Sequence, residues 1–175
     1  MTTNVTAATR GMATARFWGM ALLGSAVLAA SAQVSMPMWP VPATLQSLAV
    51  LLLGALGGSR LGVASVALYL AEGAMGLPVF AGGMGGIAAL AGPTAGYLLG
   101  FLPAAWIAGL AGRGWMRQAL VLSAAHLALF APGVAWLAGF VGWERAAMAG
   151  FMLFLPGTAV KTALAFAVLR ATRRG

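Results

Sequence analysis

A chain of 175 residues that is 62% hydrophobic, 7% charged and has a mean hydropathy of +0.96 cannot cover a soluble surface, because soluble domains carry about 25% charged residues. It reads as one integral membrane domain. With no cysteine, one histidine and two acidic residues, disulfides, thiolate metal sites and Cys nucleophiles are excluded, and little is left for a metal centre or a cofactor.

Residues 1–16 are rich in Thr and Ala and are expected to form a short, mobile cytoplasmic tail. A first span is predicted over 17–34. Its end, Ala30-Ser31-Ala32, resembles a signal-peptidase site, but the apolar run is long for a signal peptide and an uncleaved span is the better reading. Further spans are predicted over 45–56, closed by Gly57-Gly58-Ser59-Arg60, and over 61–75. A glycine-rich segment, 76–93, leads to a fourth span over 94–111. The turn 112–117 precedes a fifth, 119–141, with Pro132-Gly133 inside it. The sixth, 146–169, is followed by a basic tail, 171–175. The expected architecture is an all-α bundle of six transmembrane helices occupying 17–170.

Six spans put both termini on one side. That side would carry Arg10, Arg16, Arg60, Arg113, Arg117, Arg170, Arg173 and Arg174; the other has only Arg145, beside Glu144. The positive-inside rule then places both termini in the cytoplasm. The net charge of +8 is thereby a matter of topology and not of a nucleic-acid face, since the arginines are scattered one or two per loop. Trp18 and Trp115 fall at the inner interface, Trp39 and Trp143 at the outer one. The two uncharged loops 36–44 and 76–93 lie outside, one proline-rich and one glycine-rich. Proline fixes extended backbone and glycine permits close approach, so these loops are expected to lid an outward-opening cavity.

Lys161 lies deep in the last span. A cation there costs several kcal/mol unless paired, so it is expected to face a polar cavity or a buried partner. Thr158, three residues earlier, shares its face, and Pro156-Gly157 is expected to bend the helix. Glu72 reads as an interface carboxylate or a partner for Lys161 or Arg145; a proton-coupling role is the alternative. Gln46, Thr44 and Tyr97 are polar groups near the outer cavity, and Thr44 would also cap the second span. Trp39, Phe80 and Trp136 could pack on a flat ligand or on the core. His126 is expected to hydrogen-bond a neighbouring helix. Ala26–Ala30 and Gly96–Gly100 are small-residue pairs that permit close helix contact. Gly157–Thr162 superficially resembles a phosphate loop but lacks the Gly before Lys, so the chain has no ATP-binding motif of its own. Without Asp, a Ser-His-Asp triad is impossible, and an enzyme is not expected.

Specific motifs add a resemblance. Val41-Pro42-Ala43-Thr44-Leu45-Gln46, Ser59-Arg60-Leu61-Gly62, Gly76-Leu77-Pro78-Val79-Phe80-Ala81-Gly82-Gly83 and Gly92-Pro93-Thr94-Ala95-Gly96-Tyr97-Leu98-Leu99-Gly100-Phe101 are similar to motifs of the BioY family, the biotin-binding S components of energy-coupling-factor (ECF) vitamin transporters. Phe154-Leu155-Pro156-Gly157 and Lys161 match its last helix. The resemblance spans about 20–169. It implies six helices in the plasma membrane of a bacterium, biotin captured from outside, and docking on a T component driven by two cytoplasmic ATPases. It also implies ligand contact at Lys161 and at the position of Thr158, and docking through Ala26 and Ala30; with the residues weighed above, the candidate ligand site is Lys161, Thr158, Tyr97, Gln46, Thr44, Phe80, Gly82, Gly83, Trp39 and Trp136. The family pattern Pro-x-Asp-x-x-Lys has Thr158 in place of Asp here. From the residues alone, an autonomous ion-coupled transporter using Glu72 and Lys161 is the alternative.

Overall fold

The computed structural model describes residues 2–173. The helices are α1 (Thr2–Gln33), α2 (Gln46–Ala74), the short α3 (Ile87–Ala91), α4 (Ala95–Ala108), α5 (Trp115–Ala128), α6 (Phe130–Val141), α7 (Trp143–Gly150) and α8 (Leu155–Thr172). Two short strands, β1 (Ser35–Met36) and β2 (Ala43–Thr44), pair antiparallel between α1 and α2.

These elements make six membrane legs. α2 is two of them, because Gly58 breaks it at φ 81°, ψ 163°, a conformation open to glycine alone. Its arms, 46–57 and 59–74, run back along each other: Gln46 reaches Tyr69, and a Cβ on Gly62 would lie 2.8 Å from Gly54 Cα. The second and third spans are thus the pair expected from sequence, joined by a tighter turn. α5 and α6 form one leg, jointed at Leu129. Pro132, inside α6, cannot donate to the Ala128 carbonyl four residues back, which explains the joint. α7 and α8 form the last leg. Its bend was expected at Pro156-Gly157 but lies upstream, at Phe151 (φ −130°, ψ −63°) and a 3-10 turn over Met152–Phe154. Pro156 sits in the first turn of α8, where its missing N–H has no cost.

The expected tail at 1–16 is helical from Thr2 and continuous with the first leg, and α8 runs on through Thr172 into the expected basic tail. Arg174 lies outside the described residues.

Small residues let the legs close up. A Cβ on Gly54 would lie 2.9 Å from Ala108 Cβ, and one on Gly100 would lie 3.0 Å from Leu129 Cα. Tyr69, Tyr97, Phe101, Phe130 and Leu137 fill the space between α2, α4 and α6. The two ends of the bundle differ. At one end, Ser59 donates to the Trp106 carbonyl (2.8 Å), Arg117 to Leu110 (3.1 Å), and Arg173 to Ala55 (2.8 Å) and Gly112. At the other end, loops 34–45 and 76–94 meet. The arm 46–57 rises roughly 18 Å, short of the roughly 30 Å hydrocarbon core. The β1–β2 hairpin, in which Ser35 pairs with Thr44 and Met36 with Ala43, leads into it.

Candidate functional site

Beneath the two loops lie two adjoining chambers of about 60 and 50 Å³, which share Val41, Pro42, Thr44, Tyr97 and Phe101 as walls. The first is mostly apolar and is completed by Phe80, Met84, Leu98 and Gln46. The second carries the polar groups Ser47, His126, Thr158 and Lys161, with Phe130 and Phe154 beside them. Ligand clefts typically measure about 300 Å³ or more, so a small organic ligand needs the lids to move.

Lys161 Nζ donates to the Thr44 carbonyl at 2.8 Å and to Ser47 Oγ at 3.1 Å, so the last leg is tied to the start of α2 across the chamber. An ammonium has three donors, and one is left for a ligand. Glu72 is not its partner, contrary to one expectation. The carboxylate is held by Ser25 Oγ on α1 at 2.9 Å, and the chain meets the cost of its buried cation with a carbonyl and a hydroxyl. Thr158 is buried beside Lys161, and among the described residues its hydroxyl has no protein partner. His126 Nδ1 lies 2.8 Å from Thr162 Oγ1, which ties α5 to α8.

Gln46 donates to Tyr69 Oη at 2.6 Å, and Thr44 Oγ1 donates to Gln46 Oε1 at 3.2 Å. The N-cap of α2 is Leu45, not Thr44, whose hydroxyl instead accepts the Gln46 N–H. Tyr69 donates to the Val79 carbonyl at 3.3 Å, so the α2 start and the 76–86 loop are joined through one buried phenol. The Phe80 ring packs edge-on to Tyr69 (5.3 Å) and over Gly73, whose carbonyl takes the Gly86 N–H at 2.7 Å. Gly82 and Gly83 both adopt φ 71° in the turn that returns the loop, so their contribution is to its shape. Tyr97 lines both chambers with its ring, but its hydroxyl is taken by the Gly150 carbonyl at 2.8 Å.

Trp39 and Trp136 line neither chamber. Trp39 is 75% exposed on the proline-rich loop. Trp136 donates Nε1 to the Gly92 carbonyl at 2.9 Å and so latches the glycine-rich loop to α6. Ala26 and Ala30 lie on the exposed face of α1. Sequence reasoning missed Ser47 and Tyr69 as site residues. Ser47 adjoins Gln46 but gave no pattern, and Tyr69 looked like ordinary span packing. Among the described residues no group of His, Asp and Glu could hold a metal ion.

Comparison with known proteins fits this geometry. The family model described as "BioY family" matches residues 1–175. A protein of Pyrococcus horikoshii named probable biotin transporter BioY is 44% identical over 140 residues, covering 80% of this chain and 85% of its own. The biotin transporter BioY of Rhodobacter capsulatus is 40% identical over 147 residues, covering 74% and 77%. A crystal structure of the S component for biotin from an ECF-type ABC transporter superposes with a TM-score of 0.82 over 93% of each chain; at 23% identity it speaks for the fold. The chain is a multi-pass membrane protein of six helical legs, and it belongs to the BioY family.

Proposed function

We propose that this chain captures biotin from the outer side of the plasma membrane and serves as the substrate-binding component of an ECF transporter. It holds no nucleotide-binding loop, so uptake draws on a T component and two cytoplasmic ATPases, with lipid around the bundle. The chain does no covalent chemistry.

The observation that carries the reading is the pair of chambers under the two lids, apolar on one side and polar on the other. Biotin calls for both surroundings: apolar walls for its hydrocarbon and thioether body, and polar partners for its ureido group and its carboxylate. Lys161, with its third donor free, and the Thr158 hydroxyl meet the ligand's polar atoms. Phe80, Phe101, Val41 and the Tyr97 ring enclose its apolar part. Gln46 and Thr44 hold the wall between α2 and the 76–86 loop, Gly82 and Gly83 shape that loop, and Trp136 latches it. The arginine-rich end faces the cytoplasm by the positive-inside rule, and the exposed Ala26–Ala30 face of α1 is offered to the T component.

The test is uptake by proteoliposomes. Biotin accumulation is expected only with the T component, the ATPases and ATP present, and to be lost in Lys161→Met. Accumulation by this chain alone under a proton gradient, abolished in Glu72→Gln, would replace the reading with an autonomous coupled transporter.

A further inference from the structure

We infer that His126 is a ligand-binding residue, its Nε2 accepting a hydrogen bond from a ureido N–H of the bound molecule. The inference rests on the biotin reading above and adds a residue to that site.

The side chain is 1% exposed, yet it forms part of the wall of the polar chamber. Its Nδ1 is engaged by Thr162 Oγ1 at 2.8 Å. Among the described residues its Nε2 has no protein partner. The ring that carries this nitrogen lines the polar chamber beside Thr158 and Lys161. Buried polar groups left unpaired are rare and call for a partner.

The chemistry of the chamber says which partner. A ureido group brings two N–H donors and one carbonyl acceptor. Lys161 can only donate, and so serves the carbonyl. The N–H groups need acceptors. The Thr44 carbonyl and Ser47 Oγ already accept from Lys161, and Gln46 Oε1 accepts from Thr44. Among the described residues, the side-chain acceptors of this wall that hold no hydrogen bond at all are the Thr158 hydroxyl and His126 Nε2.

The Thr162 contact lets the imidazole take the required form. With the proton on Nδ1 and donated to Thr162 Oγ1, Nε2 presents its lone pair. The ammonium of Lys161 in the same chamber favours that tautomer, because the lone pair is the negative end of the neutral ring. The pair Thr158 and His126 thus supplies uncharged acceptors where no carboxylate stands.

His126 is the chain's one histidine, so ¹⁵N-histidine labelling of an untagged preparation reports a single ring. The inference predicts a protonated Nδ1, an unprotonated Nε2, and a change at Nε2 on saturation with biotin. It further predicts that His126→Leu, which also loses the tie to Thr162 and melts at a lower temperature, binds biotin about tenfold more weakly or worse at temperatures where it is fully folded, and that His126→Gln, which keeps an acceptor, recovers part of the loss in affinity. Saturation by biotin with Nε2 protonated or undisturbed overturns this inference alone. Equal weakening in the Leu and Gln variants also overturns it. If wild-type protein takes up no biotin in the same titration, the functional reading falls first, and this assignment with it.

Discussion

Replacing Gly73 by Ala puts a methyl where the Phe80 ring now lies. The added Cβ would sit 2.5 Å from Phe80 Cε2 and closer still to Cζ and Cε1, inside the 3.0 Å that real Cβ contacts do not reach. Ordinary carbon–carbon contact is about 3.5 Å, so the ring must retreat by about 1.5 Å at its nearest atom. It cannot do so freely. Tyr69 packs edge-on against it, and the loop backbone is pinned by Gly86 N–H to the Gly73 carbonyl at 2.7 Å. The open direction is into the apolar chamber, which the ring already lines and which measures about 60 Å³. Overpacking of this kind costs about 1–3 kcal/mol, and Gly→Ala in a helix returns up to about 1 kcal/mol, which leaves roughly 1–2 kcal/mol. A ligand that must push the ring back bears that cost, so biotin should bind roughly five- to thirtyfold more weakly. Calorimetric titration measures it. Gly139→Ala, with open space around it, is the control and should bind like wild type. Trimming the ring in Gly73→Ala/Phe80→Leu should recover affinity relative to the sum of the single changes. Unchanged affinity in Gly73→Ala, or strict additivity in the double variant, would refute the seat of Phe80 as a determinant of the chamber.

Tyr97→Phe removes the hydroxyl held by Gly150 and should cost about 1–3 kcal/mol of stability, read as a lower melting temperature, with biotin affinity within about threefold of wild type. Trp136→Phe keeps a ring but frees the Gly92 carbonyl, and should speed biotin release several-fold in a stopped-flow chase while equilibrium stability changes by about 1 kcal/mol. The chain has no cysteine, so single cysteines report topology: Trp39→Cys should label with an impermeant maleimide on intact cells, and Trp115→Cys only after permeabilisation.

Much of the framework is legible in the sequence because membrane spans announce themselves by length and hydropathy, and Gly57-Gly58 marks the reversal inside α2. The lids were legible too. Prolines and glycines in uncharged loops point to specially shaped backbone, and Val41, Pro42 and Phe80 do line the chambers. Partner choice was not legible. Nothing in the sequence says that Lys161 meets the Thr44 carbonyl and Ser47 while Glu72 meets Ser25, since those pairs join residues on different legs. The break before α8 was misplaced because Pro156 is the visible breaker, yet proline is tolerated in a first turn and the chain yields at Phe151 instead. Trp39 and Trp136 looked alike as aromatic candidates, but an aromatic near a cavity can equally lie on the surface or clamp a loop, and only packing decides.

The most direct measurement is calorimetric titration of the purified, detergent-solubilised chain with biotin, run beside Lys161→Met. Wild type is expected to bind one biotin per chain tightly, and the variant, which keeps its fold but lacks the ammonium that faces the ligand, to bind at least about tenfold more weakly. Absence of biotin binding by wild type, or equal affinity in the two proteins, would contradict this expectation.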